Sequence, residues 1–347
     1  MNEIITKLNN LNVSSNNSYN FIELCAGAGG FSKGFINKNF NPLLLNDNDK
    51  KCCETLKKNH PNVNIICKNM EELDLIIYKN IDLMISGCPC QSYSMAGKRL
   101  GFEDKRGNLL LIFLKNIENI NPKTFVIENV KGLLNHNSGK SFKYILEEIN
   151  KIGKYNVYWE LLNSNDYDVP QKRERLFIVG VIKSIKKEYK FPEKEKYKPV
   201  LKDVLMNINY GKVSEGYLYP EHKRKVMELV PEGGCWIDLP ENIQKEYMKK
   251  SYFSSGGKRG IARRLSMDKP SLTLTTSPCQ KQTERCHPIE TRPLNLKEYA
   301  RIQTFPDDYY FCGSISQKYK QIGNAVPINL AQRIAESIKN VLDSVED

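Results

Sequence analysis

The chain has 347 residues, 40% of them hydrophobic and 27% charged, with a formal net charge of +12. This is the composition of a soluble globular protein of about two domains, or one large domain with an insertion, and the basic balance favours a polyanionic partner, nucleic acid first. A Lys-, Asn- and Ile-rich bias of the kind AT-rich genomes produce is the competing source of that charge. No apolar run is long enough to span a membrane, residues 1–20 lack the basic start and apolar core of a signal peptide, and the ten cysteines contain no CxxC pair of the zinc-binding kind. Reduced thiols in a cytoplasmic setting are therefore expected, with no metal.

Residues 1–19 are polar and rich in Asn and Ser, and are expected to form a loose arm. Short, mostly apolar runs follow at 21–25, 42–46, 63–67, 81–86, 124–128, 157–162 and 176–182, as strands covered on both faces require. Helical stretches fall between them near 32–38, 50–58, 108–119 and 141–150. Such alternation predicts an α/β fold with a doubly wound, mostly parallel sheet. The charged, Pro-containing stretch 183–198 reads as a linker. From 199 to 290 the alternation stops, which points to a second, smaller and less regular domain. Two amphipathic helical stretches, 294–304 and 328–343, bring the first domain back, and no internal repeat is present. The expected division is therefore 20–198 plus 291–347 for one domain and 199–290 for the other.

Five constellations carry chemistry. The first runs from Phe21 to Phe31, where a strand ends in the Gly-rich turn Cys25-Ala26-Gly27-Ala28-Gly29-Gly30 and a helix opens. Such a turn lets a ligand approach bare backbone NH groups. Ser32 stands where a dinucleotide fingerprint needs its third glycine, which disfavours a pyrophosphate ligand and a nicotinamide oxidoreductase. Asp47, twenty residues after Gly27 at the end of the second strand, suits the hydroxyls of a ribose, so a nucleoside without a diphosphate fits better. A purely structural turn is the alternative.

The second constellation is Gly87-Cys88-Pro89-Cys90-Gln91-Ser92, placed at the carboxyl edge of the sheet where open α/β folds bind ligands. A cysteine here becomes a nucleophile once its thiolate is populated, although a buried structural thiol is commoner, and Cys88 is read as packed. The third is Glu128 at the end of an apolar strand, followed by Asn129; partial burial would leave its carboxyl able to donate a proton, unless it serves only as a cap or turn. In the fourth, Gln171 to Arg175, two arginines at alternate extended positions project to one side, toward a phosphate or a base edge unless they are merely solvated. The fifth, Gln321 to Pro327, reads from its residues alone as the start of the last helix.

In this order the blocks resemble the cytosine carbon-5 DNA methyltransferases of bacterial restriction–modification systems, over roughly 20–182 and 291–343. Phe21–Phe31 is similar to their cofactor loop, Pro89-Cys90-Gln91 to their nucleophile motif, Glu128-Asn129-Val130 to their ENV motif and Gln171–Arg175 to QxRxR. Arg301–Asp307 and Gly323–Pro327 resemble the last two blocks, and 199–290 lies where the family carries its target-recognition domain. The resemblance implies a Rossmann-like methyltransferase fold, S-adenosylmethionine as cofactor, and transfer of its methyl group to carbon 5 of a cytosine flipped out of double-stranded DNA. It implies Cys90 as nucleophile at carbon 6, Glu128 at ring nitrogen 3, Arg175 at the cytosine carbonyl, and Arg173 positioning base or backbone.

The cofactor would lie against Glu23, Cys25, Ala26, Gly27, Gly29, Gly30, Asp47, Asn48, Asn69, Pro89, Asn324 and Val326. Three of these depart from the family: Cys25 where an aromatic often stands, Asn48 where a bulkier residue often covers the adenine, and Asn69 where an Asp usually meets the adenine amino group. An Asn carbonyl oxygen still accepts that bond.

DNA contacts are expected from Gln91, Ser94, Lys98 and Arg99, the last two in a Gly-bearing segment, 95–102, that reads as a lid or as a passive surface loop. In the recognition segment Lys258, Arg259, Arg263 and Arg264 cluster about glycines, suited to guanine edges or to phosphates. That segment holds 15 Lys/Arg against 11 Asp/Glu, so the cluster rather than the net charge carries the expectation. Trp236 reads as core. The Cys-Phe-Thr signature of the transfer-RNA branch is absent, which favours DNA, and intact Cys90, Glu128 and Arg175 argue against a non-catalytic relative. A monomer, associated with the nucleoid if bacterial and functionally paired with a restriction endonuclease, completes the expectation.

Overall fold

The computed structural model describes residues 18–88, 108–206 and 215–345. Seven strands form one sheet: β1 (Asn20–Leu24), β2 (Asn41–Asp47), β3 (Asn64–Cys67), β4 (Leu83–Ser86), β5 (Thr124–Val130), β6 (Tyr155–Asn163) and β8 (Glu174–Ile182). Their order is β3-β2-β1-β4-β5-β8-β6, and β7 (Gln171–Lys172) pairs separately with β9 (Ser271–Leu272). β3, β2, β1, β4 and β5 run parallel, while β8 runs antiparallel to both β5 and β6. The expected mostly parallel sheet is present, and each of its seven strands overlaps a predicted one.

The apolar runs are explained by two covered faces. Phe21 packs on one face with Phe31 and Phe35 of α1 (Gly30–Ile36) and with Leu330, Ile334 and Ile338 of α11 (Ile328–Leu342). Ile22 and Leu24 pack on the other with Phe113 and Ile117 of α3 (Asn108–Ile120) and Ile145 of α5 (Lys140–Ile152). α2 (Lys50–Asn59) links β2 to β3, and the short α4 (Gly132–Asn135) follows β5.

The stretch 183–198 is not a free linker. Ile185 and Tyr189 are buried in the first core cluster, and Lys187 Nζ donates to Asn340 Oδ1 at 2.7 Å. Its charges mask two apolar anchors, so this irregular segment is strapped across the domain.

The 199–290 region holds α6 (Leu201–Leu205), α7 (Glu221–Glu228) and α8 (Glu241–Met248), joined by irregular chain. Tyr219, Met227, Val230, Leu239, Met248, Ile261 and Cys286 form a small core of their own, with Trp236 packed against it. Leu201, Leu205, Leu265 and Leu274 instead join Tyr299 and Ile302 of α9 (Leu296–Ile302) and Tyr319 and Ile322 of α10 (Ile315–Asn324).

α10 was not anticipated. Ser314 and Gln317 cap its start reciprocally, a signal present in the sequence. Gly323 and Asn324 therefore end one helix before Pro327 begins the next, rather than only opening the last.

Candidate active site

At the carboxyl ends of β1, β2, β4 and β5, where the strand order reverses about β1 and β4, lies a cavity of about 470 Å³. One wall is the turn after β1. Cys25 adopts φ 59°, Ala26 N–H donates to Asn46 O at 2.8 Å, and Gly27 N–H donates to Asp47 Oδ2 at 2.8 Å. Gly30 is required by close approach, since a Cβ there would stand 2.4 Å from Val326 O.

Asp47 also accepts the Asp49 N–H on Oδ1 at 2.8 Å. Burial raises its pKa, and these N–H bonds oppose the rise. Glu23 is fully buried, and burial pushes its carboxyl up to about 8 despite the Ser32 N–H at 3.1 Å.

Of the residues expected at the cofactor, Glu23, Cys25, Ala26, Gly27, Gly30, Asp47, Asn48, Asn69, Asn324 and Val326 all line this cavity. Gly29 does not; it sits beneath the turn, where a Cβ would meet Leu56 and the Tyr309 hydroxyl. Pro89 lies outside the described residues. Asn48 Nδ2 donates to Asn69 Oδ1 at 3.1 Å, and Asn69 Nδ2 donates to Glu72 Oε1 at 2.6 Å, so the two departures from the family pattern hold each other. Lys68 and Lys320, which the sequence reading did not single out, also line the cavity; only their place in space marks them.

The second wall comes from β5 and β8. Their antiparallel register sets Val130 opposite Arg175, and Arg175 Nε lies 3.0 Å from Glu128 Oε1. Burial lowers the Arg175 pKa, and Glu128 opposes that shift. Glu128 thus carries a charged partner that its place in the sequence did not show. Asn129 Nδ2 donates to Cys88 O at 3.3 Å and so anchors the chain two residues before Cys90.

Cys88 is a packed thiol, 2.7 Å from Ser86 Oγ and 3.9 Å from Cys25 Sγ. Contact with Cys88 first, and burial second, hold the Cys25 pKa well above its usual value. Cys90, Gln91, Ser94, Lys98 and Arg99 lie outside the described residues.

Arg173 differs most from expectation among the catalytic candidates. It is 1% exposed, and its guanidinium donates to Leu274 O at 3.2 Å, Gly323 O at 3.0 Å and Asn324 O at 3.5 Å. Its head therefore clamps two backbone segments, one at Leu274 and one at Gly323-Asn324, beside the cavity. Alternation along an extended chain predicted its side but not its depth.

The basic cluster of the recognition segment divides. Arg264 is 4% exposed, and it donates to six backbone carbonyls between Met227 and Glu290 and to Thr291 Oγ1. Its expected DNA contact is corrected to an internal tie: a guanidinium presents five N–H donors, and here they close a loop. Lys258 Nζ donates to Ser251 O at 2.7 Å and Ser254 O at 3.0 Å, Arg263 is half-buried, and Arg259 is exposed. Among the described residues no group of three or more His, Cys, Asp or Glu is placed to hold a metal ion, and no helix is long and apolar enough to cross a membrane.

The family model for C-5 cytosine-specific DNA methylase matches residues 19–340. The chain is 49% identical over 340 residues to the Type II methyltransferase M.Sau96I of Staphylococcus aureus, covering 96% of this chain and 78% of that one. It is 48% identical over 341 residues to M.Eco47II of Escherichia coli, covering 95% and 81%. In structure it is similar to the Entamoeba histolytica methyltransferase EhMeth, with a TM-score of 0.69 at 18% identity over 94% of this chain and 99% of that one. A family match across nearly the whole chain, joined by relatives of this identity and coverage, places the protein: it belongs to the C-5 cytosine-specific DNA methylases.

Proposed function

We propose that the cavity binds S-adenosylmethionine and that Cys90, Glu128 and Arg175 act together on a cytosine taken out of duplex DNA. The observation that carries this reading is that one cavity joins the β1 turn and Asp47 to the Glu128–Arg175 pair. The donor set fits the cofactor. Asp47 has used one acceptor site on each oxygen and retains others for ribose hydroxyls, and Glu23 offers a buried acid to a cationic ligand. Lys68, Asn69, Asn324 and Val326 line the same cavity and would complete the enclosure of the cofactor. The cofactor, when bound, supplies an electrophilic methyl group.

The protein's part is to make carbon 5 of cytosine nucleophilic. The Cys90 thiolate adds to carbon 6, and the electron pair of the 5,6 double bond moves toward ring nitrogen 3. Glu128 bonds that nitrogen, and Arg175 holds both Glu128 and the base carbonyl, so charge developing on the ring meets donors already in place. After methylation the carbon 5 proton passes to water, and its electron pair re-forms the 5,6 double bond as the C6–S bond breaks and Cys90 departs as thiolate. Arg173 acts behind this pair as a clamp.

In the same reading, 20–198 with 291–347 carries the chemistry and 199–290 recognises the target; the separate core about Met227 and Ile261 supports that division. Arg259, Arg263 and Lys258 remain its candidates for phosphate or base-edge contact, with Gln91, Ser94, Lys98 and Arg99 on the catalytic side. Unstacking the target costs a few kcal/mol, which contacts from both sides repay. As a Type II modification enzyme it works on cytoplasmic, nucleoid DNA as a monomer, protecting sites from a partner endonuclease.

The test is transfer of label from S-adenosylmethionine to unmethylated genomic DNA, followed by base-resolution mapping of methylcytosine. A single methylated motif is expected. Absence of incorporation by demonstrably folded protein would move the weight to an RNA substrate or a non-catalytic role.

A further inference from the structure

The recognition segment and the cavity wall meet through a buried chain of amides. Leu274 N–H donates to Gln171 Oε1 at 2.9 Å, and Gln171 Nε2 donates to Gln303 Oε1 at 2.8 Å. Gln303 Nε2 in turn donates to Ile322 O at 2.7 Å and Ala325 O at 3.1 Å. Both glutamines are fully buried, and Ala325 lies in the cavity wall with Asn324 and Val326.

Two further contacts close the same joint. A Cβ on Gly323 would stand 2.0 Å from Thr275 O, so the recognition segment rests directly on the end of α10. Tyr299 OH donates to that same Thr275 carbonyl at 3.2 Å. Every amide in the relay has one arrangement that satisfies its neighbours: turning Gln171 over would set its NH₂ against the Leu274 N–H and its oxygen against Gln303 Oε1. Residues 274–275 and 322–326 are therefore joined by a satisfied bond at every step.

We propose that Gln171 and Gln303 are positioning residues that couple target engagement by the 199–290 region, which contains Leu274 and Thr275, to retention of the cofactor in the cavity, an inference that also rests on the recognition role proposed for that region. They touch neither ligand. DNA that steadies Leu274 and Thr275 holds Ile322 and Ala325 in place, and by reciprocity bound cofactor tightens DNA binding by the same factor. This inference rests on the assignment of the cavity to S-adenosylmethionine.

The experiment measures S-adenosylhomocysteine affinity of the full chain by calorimetry, with and without duplex DNA carrying the mapped methylation motif. For the wild type, DNA is expected to tighten binding on the order of fivefold or more. In Gln171→Glu the bond from Leu274 survives while the donor to Gln303 is lost. Its DNA-induced tightening is expected to fall to within about twofold of none, and to recover as pH is lowered and the new carboxyl regains a proton to donate. Tyr299→Phe, a milder change at the same joint, is expected to give an intermediate factor and decides the matter if Gln171→Glu does not fold. Wild-type coupling in a folded Gln171→Glu overturns the proposal, as does a wild type with no coupling at all. Weakening of both affinities with an unchanged ratio also overturns it, since that marks a merely structural role. Wild-type protein that fails to transfer methyl groups overturns the cofactor assignment instead.

Discussion

Arg175 Nε lies 3.0 Å from Glu128 Oε1, across the antiparallel pair formed by β5 and β8. Glu128 therefore meets a substrate with one oxygen already held, and the other, Oε2, turned toward Gly87. Glu128 is the more buried partner, its side chain 11% exposed against 15% for Arg175, and a planar guanidinium is what fixes the orientation of the carboxylate. Arg175→Lys keeps the charge and loses the fork. It is expected to lower the methyl-transfer rate on the order of a hundredfold while the melting temperature stays close to wild type; Glu128→Gln is expected to lose as much or more. Rates within a few fold of wild type in either variant would remove the pair from the reaction.

Cys90→Ser is expected to abolish methyl transfer while DNA affinity survives, because thiolate addition to carbon 6 is needed only for the chemistry. A duplex with 5-fluorocytosine at the target is expected to leave a covalent protein–DNA adduct on a denaturing gel, since fluorine cannot depart as a proton does. The adduct should be missing in Cys90→Ser. A persistent adduct in that variant would move the nucleophile to another residue.

The sheet was legible because both of its faces are covered. Phe21 and Ile22 are adjacent in sequence yet enter opposite cores, so the run had to be apolar throughout. The β1 turn and Asp47 were legible for a related reason: a backbone N–H meeting a carboxylate at 2.8 Å needs a bare turn at that spacing. Depth was not legible. Arg264 and Arg259 look alike in a string of basic residues, but one is buried under six carbonyls and the other faces solvent. Nor does a string show that Gln171 and Gln303, 132 residues apart, share a bond. The burial of Ile185 and Tyr189 was hidden by the lysines around them.

That contrast in depth has a measurable consequence. Arg264→Ala leaves buried carbonyls without donors and is expected to cost on the order of 3 kcal/mol, or roughly 5–10 °C in melting temperature. Arg259→Ala is expected to leave melting unchanged and, if Arg259 meets a phosphate, to reduce the slope of log affinity against log salt by about 0.9. An unchanged melting temperature for Arg264→Ala would contradict the buried tie, and an unchanged salt slope for Arg259→Ala would take that residue off the DNA.

Asn69 stands where the family usually has an Asp, and its surroundings give the reason. Its amide nitrogen donates to Glu72 Oε1 at 2.6 Å, so an aspartate here would face a carboxylate. Asn69→Asp alone is expected to weaken S-adenosylhomocysteine binding several-fold, at an energy of about 1 kcal/mol for like charges screened by water, since Asn69 and Glu72 are both exposed. Adding Glu72→Gln restores a donor and is expected to recover the affinity. Tighter binding by Asn69→Asp on its own would show that the Asn48–Asn69–Glu72 chain does not govern the site.

Glu23 supplies the pH dependence. Burial raises its carboxyl from 4.5 to about 8, so the folded state holds this proton more tightly than the unfolded one. The stabilisation is fully present below pH 4.5, and it is lost as pH rises toward 8, where the folded carboxyl must ionise without water. Over that window Glu23 should make the unliganded protein less stable with each rise in pH. Glu23→Gln removes the titration and keeps an oxygen acceptor for the Ser32 N–H at the same position. It is expected to flatten the fall in denaturant midpoint between pH 5 and 8 relative to wild type. Parallel profiles for the two proteins would mean that Glu23 is ionised, or reached by water, throughout. A cationic cofactor beside the same carboxyl would favour its ionised form, so saturating S-adenosylmethionine should shallow the wild-type slope and leave the Glu23→Gln profile unchanged in shape.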